Sequence, residues 1–153
     1  MQYNLVALGG TFDVVHKGHL ALLEKAFSIS SKVIIGLTSD EFASKKGKKL
    51  LYSYSQRLES LKTTIEKNFP NSQYQISRLE NDFGPAVTEG AVEALVVSEE
   101  TRGQGEALNK LRSEKNLSLV EKIIVPMVLA KDGISISTTR IRKSEIDIEG
   151  NLC

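Results

Sequence analysis

The 153-residue chain predicts an α/β fold: a parallel sheet of five strands with helices on both faces. Three observations carry that expectation. Short apolar runs of strand length recur along the chain, rich in β-branched residues, as in Val33-Ile34-Ile35. Longer segments with apolar residues at helical spacing lie between them. The two patterns alternate from one end to the other, as right-handed strand–helix–strand crossovers require. Ligands of such sheets sit beyond the carboxyl ends of the strands, where strand order reverses. The loops after the first, second, fourth and fifth strands are therefore the places to look for chemistry.

Leu5-Val6-Ala7-Leu8 reads as a buried strand ended by Gly9-Gly10, and Leu20, Leu23 and Phe27 then recur at helical spacing. Val33 to Leu37 is the second strand, followed by a lysine-rich loop. Ser53 with Gln56 three residues on is a capping-box pattern. Leu58, Leu61 and Ile65 mark the apolar face of the helix it opens, and Pro70 closes it. Tyr74, Ile76 and Arg78 predict the third strand; Gly84-Pro85 breaks the chain before a short helix near Ala86 to Gly90. Leu95-Val96-Val97 is the fourth strand. A helix over Glu106 to Lys115 turns Leu108 and Leu111 inward, and Lys122 to Val125 is the fifth strand, stopped by Pro126. A last helix starts near Ser137 or Thr138. With no repeat and no long linker, residues 1–153 predict one domain.

Lysine and arginine total 20, aspartate and glutamate 19, for a net charge of +1. That balance supplies no global field for nucleic acid or an anionic membrane, so any bound anion must be held by a local cluster. The lysine run lacks the interleaved aromatic platform of a nucleic-acid surface. The one cysteine, Cys153, permits no intrachain disulfide. No stretch approaches the ~18 apolar residues of a membrane span. The first residues show no signal-peptide pattern, and the expected location is the cytoplasm.

The first strand runs into Gly10-Thr11-Phe12-Asp13-Val14-Val15-His16-Lys17-Gly18-His19, which holds both histidines of the chain. Histidines three apart converge if they lie in the first turn of a helix. Gly18 admits a bulky group close to the backbone. Free amides and the positive end of a helix dipole favour a phosphate, and imidazole donors can follow charge onto it as it reacts. The competing zinc reading lacks third and fourth ligands. Near the other end, Ile136-Ser137-Thr138-Thr139-Arg140 places hydroxyls and a guanidinium at a helix start, where they can take phosphate oxygens or simply cap the helix. Gly103 and Gly105 are no dinucleotide fingerprint, because the third glycine position is Leu108.

Gly10-Thr11-Phe12-Asp13 with His16-Lys17-Gly18-His19 closely resembles the signature of the HxGH nucleotidyltransferase superfamily, and Ile136 to Arg140 resembles its second motif. The likeness implies a Rossmann-like fold and transfer of a nucleoside monophosphate to a phosphate or carboxylate, with release of pyrophosphate. Gly10, Thr11, Phe12, His16, Gly18 and His19 would then surround the nucleotide. His19 is the stronger catalytic candidate and Thr11 also holds the acceptor phosphate. Ser137, Thr138, Thr139 and Arg140 would bind the phosphates.

The whole chain is similar to the archaeal type of phosphopantetheine adenylyltransferase, notably at residues 36–41, at Val96 to Thr101 and at residues 139–147. This implies ATP and 4'-phosphopantetheine as substrates, Mg²⁺ carried with ATP, and Ser98, Glu99 and Thr101 in the nucleotide pocket. The run Ser44-Lys45-Lys46, before a capped helix with Arg57 in its first turn, matches the stretch where bacterial members place a phosphate-binding lysine. Lys45 is therefore assigned to the acceptor and to catalysis, with Lys46 beside it. The chain departs from bacterial relatives at His16, where they carry threonine, and in the loop after the fourth strand, where only Arg102 matches their arginines. Rivals are a cytidylyltransferase acting on glycerol 3-phosphate or a phospho-alcohol, an FAD synthetase, and a nucleotide-binding regulator without catalysis. Cytidylyltransferases place Arg-Thr-x-Gly directly before Ile-Ser-Thr-Thr; here Lys131-Asp132-Gly133 stands two residues further off.

Overall fold

The computed structural model describes residues 2–84, 91–99, 101–126, 128–129, 131–133, 141 and 150–152. Its elements are β1 (Tyr3–Gly10), α1 (Lys17–Ile29), β2 (Ser30–Thr38), α2 (Asp40–Lys45), α3 (Tyr54–Asn68), β3 (Tyr74–Leu79), β4 (Ala94–Ser98), α4 (Gly103–Glu114) and β5 (Glu121–Val125). The strands form one sheet in the order β3-β2-β1-β4-β5. Every pairing is parallel, with Leu8 opposite Ile35, Leu37 opposite Arg78 and Val97 opposite Ile124. The chain builds outward from β1 in one direction, then returns to add β4 and β5 on the other side. The strand order therefore reverses between β1 and β4.

The continuous apolar runs are explained by burial on both faces. Successive side chains of a strand point to opposite sides. Val6, Leu8, Val33, Ile35 and Leu37 join the larger core with Leu23 and Ala26 of α1 and Leu61 and Ile65 of α3. Ala7, Ile34, Leu95 and Val97 join the smaller core with Leu108 of α4. Fully burying one Leu or Ile stabilises by about 1.5–3 kcal/mol, so either layer of helices is held chiefly by this contact. The expected α/β sheet, covered on both sides, is present.

The strands extend beyond their apolar centres, because ladder pairing does not stop where hydrophobicity does: β1 includes Gly9 and Gly10, and β2 begins at Ser30. The start of the expected lysine-rich loop is helical. Ser39 caps α2 by accepting from Phe42 N, Asp40 and Glu41 sit in its first turn, and Lys45 is its last residue. The expected inward Leu111 is 37% exposed, and Arg112 is fully buried instead. One turn on from Leu108, the Arg112 guanidinium donates to the Ser118 and Val92 carbonyl oxygens, and that pairing outweighs the leucine's preference for the interior. The capping box of α3 forms as expected: Ser53 accepts from Gln56 N and Gln56 accepts from Ser53 N. The short helix expected near Ala86 to Gly90, and the one expected from Ser137 or Thr138, lie outside the described residues.

Candidate active site

A cavity of about 310 Å³ opens where the strand order reverses. Gly9, Gly10 and Thr11 line it from β1 and its loop, and Gly36 and Thr38 from β2. Ser98 at the end of β4 and Thr101 beyond it, with Val125 at the end of β5 and Pro126 after it, close the far side. Ligands of open parallel sheets bind at such a place, and the volume lies at the low end of small-molecule pockets.

The two histidines are locked by the backbone of the turn that carries them. His16 is the N-cap of α1 and His19 its third residue, and each fills half of a reciprocal capping box. His16 Nδ1 accepts from Gly18 N at 3.0 Å, and His19 Nδ1 accepts from His16 N at 3.2 Å. A nitrogen that accepts an amide proton carries none of its own. Both rings are therefore held as the Nε2–H tautomer, with Nε2–H as the remaining donor. The rings stack with centroids 3.9 Å apart. Burial pulls His16 down to about 4, and burial together with the neighbouring His16 pulls His19 down to about 3. At neutral pH the pair presents two uncharged donors to the cavity that both line.

The intervening glycine follows from this packing. A Cβ on Gly18 would stand 2.8 Å from His16 Cε1, so the bulky group that Gly18 admits is the imidazole two residues before it. Phe12 takes a left-handed φ of 48°, is buried, and puts its ring 4.8 Å from that of His19. It supports the catalytic candidate from behind and is not among the cavity-lining residues.

The loop after β1 is braced from α3. Arg57 is fully buried and donates to the carbonyl oxygens of Thr11 and Thr38, both at 2.8 Å, and of Tyr52 at 3.2 Å. It also pairs with Asp40 at 2.8 Å, and this hydrogen bond holds the Asp40 carboxyl below its ordinary range. Asp13 returns the brace: its carboxylate accepts from Leu51 N and Tyr52 N at 2.9 and 3.0 Å. The sequence carries a signal for Arg57. It lies four and eight residues before Leu61 and Ile65, on the buried stripe, and a charge there demands partners.

On the α2 side, Lys46 and Lys48 line the cavity and Lys45 does not; Lys45 is exposed at the end of α2. Lys46 Nζ lies 2.6 Å from Asp82 and 4.8 Å over the centroid of the Phe42 ring. In the loop after β4, Ser98 N donates to Thr101 Oγ1 at 3.2 Å and Thr101 N to Ser98 O at 3.1 Å, which turns both hydroxyl residues onto the cavity. Glu99 is exposed and is not a lining residue. The structure thus gathers Gly10, Thr11, His16, Gly18, His19, Lys46, Ser98 and Thr101. Lys48 of the lysine-rich run also lines the cavity, as do Asp82 and Gln104, which no motif in the sequence marks. Ser137, Thr138, Thr139 and Arg140 lie outside the described residues.

A family model described as cytidylyltransferase-like matches residues 7–144. A phosphopantetheine adenylyltransferase of Methanothermobacter thermautotrophicus is 42% identical over 99% of this chain and 90% of its own. One of Pyrococcus horikoshii is 40% identical, covering 98% and 95%. The chain belongs to the phosphopantetheine adenylyltransferases, within the cytidylyltransferase-like family. It is an HxGH nucleotidyltransferase, and the likeness expected from its two motifs holds along nearly the whole length. A crystal structure of a protein of unknown function from Archaeoglobus fulgidus superposes with a TM-score of 0.71 at 27% identity, covering 80% of this chain and 88% of that one. A pantoate-beta-alanine ligase of Francisella tularensis shares the fold at 13% identity, with a TM-score of 0.60 over 93% and 66% of the two chains. The phosphopantetheine adenylyltransferase cavity of this chain therefore sits on a Rossmann-like sheet. No helix among its described residues is long and apolar enough to cross a membrane.

Proposed function

We propose that the protein transfers the adenylyl group of ATP to 4'-phosphopantetheine, giving dephospho-coenzyme A and pyrophosphate, a step of coenzyme A synthesis. What carries this reading is the 42% identity with a named phosphopantetheine adenylyltransferase over 99% of the chain. The two imidazole donors in the cavity at the strand-order reversal supply the chemistry.

In this reading an oxygen of the acceptor phosphate attacks the α-phosphorus of ATP in line. The bond from that phosphorus to the bridging oxygen breaks, and pyrophosphate leaves with the electron pair. A phosphate monoester is already anionic near pH 7, so no general base is required. The protein's work is to hold two polyanions together and to stabilise charge that moves between them. His19 Nε2–H donates to the α-phosphate, and His16 serves the pyrophosphate side. Thr11 holds the acceptor phosphate, with its loop braced by Arg57. The lysine that meets the same phosphate is Lys46, which lines the cavity, rather than the Lys45 assigned from the motif. Arg140 and the hydroxyls of Ser137 to Thr139 serve the pyrophosphate side on the strength of their motif.

Among the described residues no group of three histidine, cysteine, aspartate or glutamate side chains converges, and the carboxylate lining the cavity is paired with a lysine. That donor set suits Mg²⁺ held by the triphosphate's own oxygens and by water, where it would neutralise charge on the leaving group. The test is a pyrophosphate-release assay crossing ATP and CTP with 4'-phosphopantetheine, glycerol 3-phosphate and FMN. Turnover is expected only with ATP and 4'-phosphopantetheine. Turnover confined to CTP makes the protein a cytidylyltransferase, and nucleotide binding without release under any pairing makes it a regulator.

A further inference from the structure

His16, His19, Lys46 and Lys48 give the cavity four side chains suited to anions, yet it also holds a carboxylate, that of Asp82. No other aspartate or glutamate is found among its described lining residues. A negative charge in a site for two polyanions repels both and calls for a reason. Asp82 Oδ1 lies 2.6 Å from Lys46 Nζ, a charge-assisted hydrogen bond. The turn presenting Asp82 is held: Asn81 Oδ1 accepts from Phe83 N at 3.2 Å and from Gly84 N at 2.7 Å, and Gly84 supplies the left-handed φ of 50°. The next residue, Phe83, packs on the smaller core. The two charged side chains are 40% and 56% exposed, so they can part without stranding a charge away from water.

We propose that Asp82 is an acceptor-specificity residue, occupying before substrate binds the place on Lys46 that the acceptor's phosphate takes, so that only a group more highly charged than a carboxylate captures that lysine. The proposal rests on the adenylyl-transfer reading above. A phosphate monoester carries about −1.5 to −2 charge near pH 7 and three strong acceptor oxygens, against a single charge on Asp82. Exchange therefore favours the phosphorylated acceptor. An unphosphorylated or carboxylate analogue gains nothing over the resident carboxylate and leaves the ion pair closed. Once displaced, Asp82 turns to water, and the gain left after the exchange is largest for the ligand that binds Lys46 most strongly, which is selection by a built-in competitor.

The experiment uses Asp82→Asn, with Asp82→Ser as a second variant in case the first folds poorly. It measures the KM for 4'-phosphopantetheine and the Ki of inorganic phosphate competing with it. Both constants are expected to fall about two- to fivefold, the range set by losing one partly exposed ion pair. The gain should vanish in a Lys46→Met background, because the two substitutions act on one contact. Constants that stay the same or rise on removing the carboxylate overturn the proposal, as does a gain that persists without Lys46. Should the wild type release no pyrophosphate with any acceptor, the adenylyl-transfer reading fails on its own. Calorimetric binding of inorganic phosphate to the same variants then still supports or overturns the exchange.

Discussion

The corner where β1 meets α1 and the rim formed by α2 with the turn after β3 face the same cavity and are built on opposite plans. At the corner, ring nitrogens are tied to backbone amides and the flanking loop is pinned by the buried Arg57. At the rim, a half-exposed lysine is held by one carboxylate and rests over one ring. A buried, over-determined corner keeps donors in place before substrate arrives, which lowers the barrier to reaction. An exposed ion pair is worth little and exchanges readily, which suits recognition. Changes at the corner should therefore fall on kcat or on stability, and changes at the rim on the KM for the acceptor.

The largest expected break is at Arg57. Arg57→Leu removes the donor to three backbone carbonyls and should lower stability by about 3 kcal/mol or more, read by urea denaturation; a loss under about 1 kcal/mol means the brace is not needed. His19→Ala should reduce kcat by about 10²-fold or more, the scale of one lost charge-stabilising donor. A fall below about threefold in the pyrophosphate-release assay removes His19 from the mechanism. Gly18→Ala forces a methyl group against His16 and should cost about tenfold or more in kcat through misplacement, with the fold retained by circular dichroism; wild-type kcat would show that the tight packing is incidental.

The pH dependence of stability separates the corner from the carboxylates. His16 and His19 have folded pKa values of about 4 and about 3, below the ordinary imidazole value. Between about pH 6.5 and 4 the unfolded chain takes up protons that the folded corner refuses. Stability is therefore full above that window and falls as pH drops through it. Tm should decline across the window, and His16→Asn should flatten the decline. An equally steep decline in the variant assigns it to other groups. The smallest effect separates two neighbouring lysines. Lys46→Ala should raise the acceptor KM by about two- to fivefold, while Lys45→Ala leaves it within about twofold; the reverse result returns the acceptor phosphate to Lys45.

Regular elements and the motif-bearing turn were legible because they obey local rules. The apolar runs at Val33 to Leu37 and Leu95 to Val97 are buried strands, and Ser53 with Gln56 opens α3. Less legible was which lysine faces the cavity. The run at 45–49 is one composition, and a helix end at Lys45 sorts its members. Leu111 misled for a related reason. Helical spacing allows either 111 or 112 beside Leu108, and only the carbonyls of Ser118 and Val92 decide for the arginine. Asp82 carried no local signal at all, because it matters only by standing next to Lys46.

By itself the sequence determined the α/β sheet and the turn holding both histidines, because periodicity and capping act within a few residues, and its likeness to the archaeal adenylyltransferases supplied the family. Tertiary structure alone decided the burial that keeps the two imidazoles neutral, the burial of Arg57 beneath Thr11, and the pairing of Lys46 with Asp82. Those depend on groups far apart in the chain being brought within hydrogen-bond reach, and on burial that no single segment can create.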